Sequence, residues 1–78
     1  MGVRLSELGH KEIINLVNGH RMGLMGESEL GVDEATGRIL EIWVPARRGL
    51  FAAQTARQIG WDRVRRVGPE VVIVEVDD

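Results

Sequence analysis

The sequence predicts an all-β fold: a small antiparallel β-barrel of about six strands, with one or two short helical turns. Three observations lead there. Short runs alternate apolar with polar or small residues, turn signals recur about every 8 to 15 residues, and glycines inside the longest run let a strand bend as barrel closure requires. There is no linker, repeat or low-complexity tract, so residues 1–78 are expected to form a single domain near the lower size limit for independent folding. With 44% apolar residues the chain is globular rather than disordered.

The elements follow in order. Ser6 is a candidate cap for a single helical turn that Gly9 ends. Residues 11–17, KEIINLV, are a β-favouring run closed by the turn signal Asn18-Gly19. From 21 to 33 the alternation predicts one long strand. Met22, Leu24, Gly26, Ser28, Leu30 and Val32 fall on one face; Gly23, Gly26 and Gly31 are the bending points. Asp33-Glu34-Ala35-Thr36-Gly37 is a hairpin loop, with Asp33 accepting from the next turn's N–H groups and Gly37 taking a positive φ. Residues 38–44, RILEIWV, return the chain. Leu40, Ile42 and Val44 are assigned to the core, with Ile39, Glu41 and Trp43 outward; Pro45 ends the pairing.

Residues 46–53 read as a loop, and residues 50–58 fit helix, strand or loop on their own composition. Trp61-Asp62-Arg63 is one helical turn whose spacing puts Trp61 and Val64 on the same side as structural residues. Val64–Val67 is a strand, Gly68-Pro69-Glu70 a turn, and VVIVEV a buried final strand.

Composition excludes several classes of function. No cysteine is present, hence no disulfide and no thiolate metal site. No stretch approaches the roughly 20 apolar residues of a membrane span, and the N-terminus lacks a secretory apolar region. Met1-Gly2-Val3-Arg4-Leu5-Ser6 fits the loose myristoylation pattern, but so permissive a pattern carries little weight. The expectation is a soluble, cytoplasmic protein.

A hydrolase needs a nucleophile with a base to activate it. The hydroxyls are Ser6, Ser28, Thr36 and Thr55; His10 and His20 sit beside glycines at expected turns, where surface positions are favoured. These histidines, and the pair Asp33 and Glu34, lack the clustered spacing of zinc or calcium sites. Gly23-Leu24-Met25-Gly26 matches a phosphate-clamping GxxG only superficially, since it lies within the alternating run. No catalytic residue, cofactor or metal ligand is assigned, and an enzyme is not expected.

The signals in their order resemble the PRC-barrel family, and within it the short, single-domain, sporulation-associated bacterial members of the YlmC/YmxH type. The matching pieces are RLSELGHKEIINLVNGHRMGLMGESEL, VDEATGRILEIWVP and IGWDRVRRVGPEVVIVEV, which together span nearly the whole chain. Members of the family carry a proline before the tryptophan where this chain has Gly60-Trp61, and residues 47–56 are richer in alanine than is usual there. The resemblance implies a barrel of about six strands, a strand rather than a helix at 55–59, and no catalytic residues. Better-understood members hold protein partners.

Charge is segregated. Residues 27–45 hold five acids against Arg38, a net −4, and residues 47–66 hold six arginines against Asp62, a net +5. Arginine favours bidentate pairing with carboxylate or phosphate. Two functions compete on this pattern. The first is a self-associating protein-interaction module, a homodimer or higher homo-oligomer docking onto a second protein through Ile39, Trp43, Arg47, Arg48 and Phe51. The second is a nucleic-acid-binding barrel using the 47–66 arginines, with Phe51 and Trp61 as stacking platforms. The overall charge of −2 and the three aromatic residues weigh against the second, so nucleic acid is the alternative.

Overall fold

β-Branched runs set between turn residues fold here as short strands, and two of the turns carry the chain from one sheet to another. The computed structural model describes residues 2–46 and 56–77. A one-turn helix, α1 (Leu5–Leu8), precedes β1 (Glu12–Asn15), β2 (Arg21–Leu24), β3 (Glu29–Val32), β4 (Ile39–Val44), β5 (Arg57–Gly60), β6 (Val64–Val67) and β7 (Val71–Val74). Two 3₁₀ turns complete the described elements: a first corner at Met25–Glu27 and a second at Trp61–Arg63.

The strands form a four-stranded sheet in the order β2-β1-β7-β6 and a three-stranded sheet in the order β3-β4-β5. The first corner leads from β2 into β3, and the second returns the chain from β5 into β6. The four-stranded sheet therefore combines an N-terminal and a C-terminal hairpin, and the three strands between them in the chain form the other sheet. Neighbours are antiparallel except β1 and β7, which run parallel with Ile13 beside Val72 and Ile14 beside Ile73.

Both sheets bury their inward positions in one core. Ile13, Val72 and Val74 come from the four-stranded sheet, Ile42, Val44 and Ile59 from the three-stranded sheet, and all six are fully buried. Leu8, Met22 and Met25 close this core, with Leu30, Trp61, Val64 and Val76 packed against it. Each fully buried aliphatic side chain contributes roughly 1.5–3 kcal/mol, so these six residues dominate the stability of so small a chain.

Two buried polar residues staple the chain ends together. Lys11, 7% exposed, donates from Nζ to the carbonyl oxygens of Gly68 (2.5 Å) and Pro69 (2.8 Å), holding the β6–β7 turn. Asn15 occupies the inward parity of β1 and acts as an extra ladder rung: its Nδ2 donates to Val76 O (2.9 Å), and its Oδ1 accepts from Val17 N (3.1 Å) and Val76 N (3.3 Å). A buried amide is tolerated only with such partners.

Several expectations change. The described strands number seven, and they form two sheets without closing into one continuous ring of pairing. The β1–β7 contact is parallel, so the arrangement is not purely antiparallel. The extra strand arises because the run from 21 to 33 is broken at the first corner. There the backbone approaches α1: Gly26 N donates to Gly9 O at 2.9 Å, and a Cβ on Gly26 would lie 2.7 Å from that oxygen. The break rephases the run, burying Met25 while Leu24 and Val32 turn outward.

Leu40, assigned to the core, is 52% exposed. The register passes from Gly31↔Glu41 to Val32↔Ile39, leaving Leu40 as the extra residue of a β-bulge. Ser6 lies inside α1 rather than capping it; Arg4 is the N-cap residue and makes no side-chain cap bond. Gly9 follows the helix in a right-handed conformation, φ −61°, so it does not form a left-handed cap; a Cβ there would meet Gly26 only at an ordinary 3.5 Å.

Other expectations hold. The turn at Asn18-Gly19 is present, and Gly19 N donates to Asn15 O at 2.7 Å. In the 33–37 hairpin, Ala35 N donates to Asp33 Oδ1 (2.9 Å), Gly37 N to Asp33 O (2.7 Å), and Gly37 has φ +75°. The strand expected at 55–59 is present as β5 at Arg57–Gly60, residue 55 lying outside the described residues, and the helical turn at 61–63 is found as a 3₁₀ turn.

Candidate functional site

The outward face of the three-stranded sheet is built by the pairing of β3, β4 and β5. In one cross-strand row Trp43 stands between Glu29 and Gln58; in the next, Glu41 stands between Gly31 and Gly60. Alternation puts Ile42 and Val44 inward, so Glu41 and Trp43 must face out. Trp43 is accordingly 45% exposed, a large ring left uncovered at the middle of a sheet face.

The two glycines shape the rest of this face. Lacking Cβ atoms, they let neighbouring carboxylates lie down on the sheet. The site a Cβ would take on Gly31 is 2.7 Å from Glu41 Oε2, and on Gly60 it is 2.4 Å from Asp62 Oδ1. Gln58 Nε2 donates to Glu41 Oε1 at 3.0 Å and ties the carboxylate to the neighbouring strand. The result is a face carrying Trp43 with Glu29 in its own row and Glu41 in the next, and with Asp62 over Gly60 at the end toward the second corner. Residues directly opposite on one face stand about 5 Å apart, so Glu29 and Gln58 flank the Trp43 ring on either side.

The second corner leads from this face to a basic one. Asp62 belongs to the acidic side. Arg63 follows it, and Arg65 and Arg66 lie on β6, the edge of the four-stranded sheet among the described strands. Arg65 is tied down: its Nε donates to Glu75 Oε1 and its Nη1 to Asp62 O, both at 2.9 Å. The exposed side chains of Arg63 and Arg66 have no partner among the described residues.

Of the residues expected at an interface, Trp43 lies on this outward face. Ile39 is half-buried and lines a shallow cleft of about 630 Å³ with Arg38, Leu40, Trp61 and Asp62, of which Trp43 is not a wall. Arg47, Arg48 and Phe51 lie outside the described residues. Trp61, a stacking platform in the nucleic-acid reading, is instead packed against the core with Val64. The grouping of Glu29, Glu41 and the neutral Gln58 on the Trp43 face escaped sequence reasoning. The clue was the alternation of Glu29 with Gly31 opposite Glu41 and Trp43, which becomes a surface only once the register is known.

Among the described residues no cluster of His, Asp and Glu could hold a metal ion. Ser28 Oγ donates to Leu24 O at 3.1 Å, Thr36 Oγ1 accepts from Arg38 N at 3.3 Å, and both histidines are exposed. A second cavity, apolar and about 320 Å³, lies between α1, the first corner and β3, lined by Leu5, Leu8, Met25 and Leu30 among others. Among the described residues no helix is long and apolar enough to cross a membrane.

Fold and surface together define a small, mostly β domain of two sheets sharing one core, presenting an aromatic and acidic sheet face. Along nearly its whole length the chain is similar to two proteins of Bacillus subtilis strain 168. It is 28% identical over 78 residues to the uncharacterized protein YmxH, covering 97% of this chain and 92% of that protein. It is 25% identical over 79 residues to YlmC, named a "probable sporulation protein", covering 97% and 95%. This similarity fits a protein of the YlmC/YmxH type. No protein-family model matches the chain.

Proposed function

We propose that this chain is a non-catalytic, self-associating protein-interaction domain of the PRC-barrel type, acting in sporulation. The observation that carries the reading is Trp43, exposed at the centre of an outward sheet face and framed by polar groups. Tryptophan is the residue most enriched at binding hot spots, and a ring left in water gains by being covered. A single core shared by two sheets, with both corners built from 3₁₀ turns, supports the barrel-type reading. The name given to YlmC supports the link to sporulation.

Self-association is tested by sedimentation equilibrium at tens of micromolar, in low and in high salt. A dimer or larger oligomer is expected at low salt; a monomer under both conditions overturns the reading. Deletion in the native host with full recovery of heat-resistant spores would remove the sporulation half.

A further inference from the structure

We propose that Asn18 is a latent deamidation site, held unreactive in the folded chain by the turn between β1 and β2. The site is separate from the Trp43 face and does not depend on self-association.

The chemistry needs two neighbours in sequence and water. The backbone nitrogen of Gly19 attacks Cγ of Asn18. That N–Cγ bond forms, the Cγ–Nδ2 bond breaks, and ammonia leaves with the amide proton of Gly19. Water then opens the five-membered imide at either carbonyl, leaving aspartate or isoaspartate at position 18. Glycine hinders this closure least, because it has no Cβ and accepts the widest range of backbone angles. Of the two asparagines in the chain, Asn18 precedes Gly19, whereas Asn15 precedes the bulky Leu16.

The fold occupies both reacting groups. Gly19 N, the nucleophile, donates to Asn15 O at 2.7 Å. Asn18 Oδ1, on the carbon to be attacked, accepts from His20 N at 2.9 Å. Closing the imide takes the Gly19 proton off Asn15 O and turns the Asn18 carboxamide away from His20 N, so the turn must open first. Two hydrogen bonds of ordinary net strength make that opening about 30-fold unfavourable. The acceptor is itself held: Asn15 N donates to His20 O at 2.9 Å, and its buried side chain bonds to both Val76 N and Val76 O. The restraint on Asn18 therefore runs through Asn15 to the segment after β7. Isoaspartate carries the main chain through an extra carbon, so a turn that opens and reacts this way does not close again in the same register.

Mass spectrometry of the full chain tests this, with the protein incubated at one mildly alkaline pH either folded in buffer or unfolded in urea. Trypsin cleavage after Lys11 and Arg21 leaves both asparagines in one peptide, residues 12–21, and fragment ions separate them. Asn18 should deamidate at least about 30-fold more slowly in the folded protein, with Asn15 far slower than Asn18 in the unfolded chain. Asn15→Ala, kept below its melting transition, should speed the reaction of folded Asn18 at least about fivefold, the loss of one such bond. Should that variant not fold, amide exchange in the wild-type protein replaces it: the Gly19 N–H should exchange at least about 30-fold more slowly than in the unfolded chain. No acid at position 18 in the unfolded chain would overturn the site. Equal rates in folded and unfolded protein, or a Gly19 amide that exchanges as if unfolded, would overturn the restraint. A folded Asn15→Ala variant reacting at the wild-type rate would overturn the part given to Asn15.

Discussion

The two corners do the same job in different ways. At the second, Trp61–Arg63, a tryptophan supplies the anchor: Trp61 packs against the core, Val64 follows on the same side, and Glu75 N donates to Arg63 O at 2.9 Å. At the first, Met25–Glu27, the anchor is backbone against backbone. Gly26 N meets Gly9 O, and Met25 N meets Lys11 O, both at 2.9 Å, with Met25 filling the core behind them. One corner is held by a side chain it carries itself. The other depends on a segment 14 or more residues earlier in the chain. A corner of the first kind announces itself in sequence, and one of the second kind does not.

This difference predicts a graded set of mutational effects, read by denaturant or thermal unfolding. The largest is Trp61→Ala. A fully buried ring costs about 3–5 kcal/mol on truncation, and Trp61 is half-buried, so about 3 kcal/mol is expected. A variant melting like wild type would mean that the second corner is held by something else. Gly26→Ala should cost about 2 kcal/mol, within the range for overpacking, because its Cβ would meet Gly9 O, a backbone atom, at 2.7 Å. A neutral outcome would show that α1 moves away freely and that the first corner does not need it.

Lys11→Met should follow at about 1.5 kcal/mol, the lower end for hydrogen bonds to a charged group. The carbonyls of Gly68 and Pro69 lose their donor, but lie close enough to solvent for water to replace part of it. Gly60→Ala is the control. Its Cβ would meet the tip of the Asp62 side chain, which can swing aside, so a change within about 0.5 kcal/mol is expected. If Gly60→Ala cost as much as Gly26→Ala, the contrast between a side-chain corner and a backbone corner would fail.

Local chemistry explains what was legible. The 33–37 hairpin, the Asn18-Gly19 turn, the strands at 64–67 and 39–44 and the turn at Trp61 depend on residues within a few positions of one another. Trp43 was legible as outward because its neighbours Ile42 and Val44 are plainly inward. The same period-2 rule misled at residues 25–28. Glycine and serine fit either face of a strand, so nothing in Met25-Gly26-Glu27-Ser28 contradicts continued alternation. Leu40 was misassigned for a related reason: a bulge inserts one residue without leaving any mark in composition.

By itself the sequence determined the all-β character, the places where the chain reverses, the segregation of acid from arginine and the outward placement of Trp43. All of these follow from side-chain branching, turn residues and charge, which act over a few residues. Only the tertiary structure decided that β1 and β7 pair in parallel, that the long run breaks into two sheets, and that Lys11 and Asn15 are buried staples. It also decided that Glu29 and Gln58 flank Trp43 on one outward face, with Glu41 in the next row. Each of these depends on backbone groups meeting across many residues, Lys11 with Gly68 and Gly9 with Gly26 among them. Register and close approach are set by how the whole chain fills one core, and no local pattern encodes them.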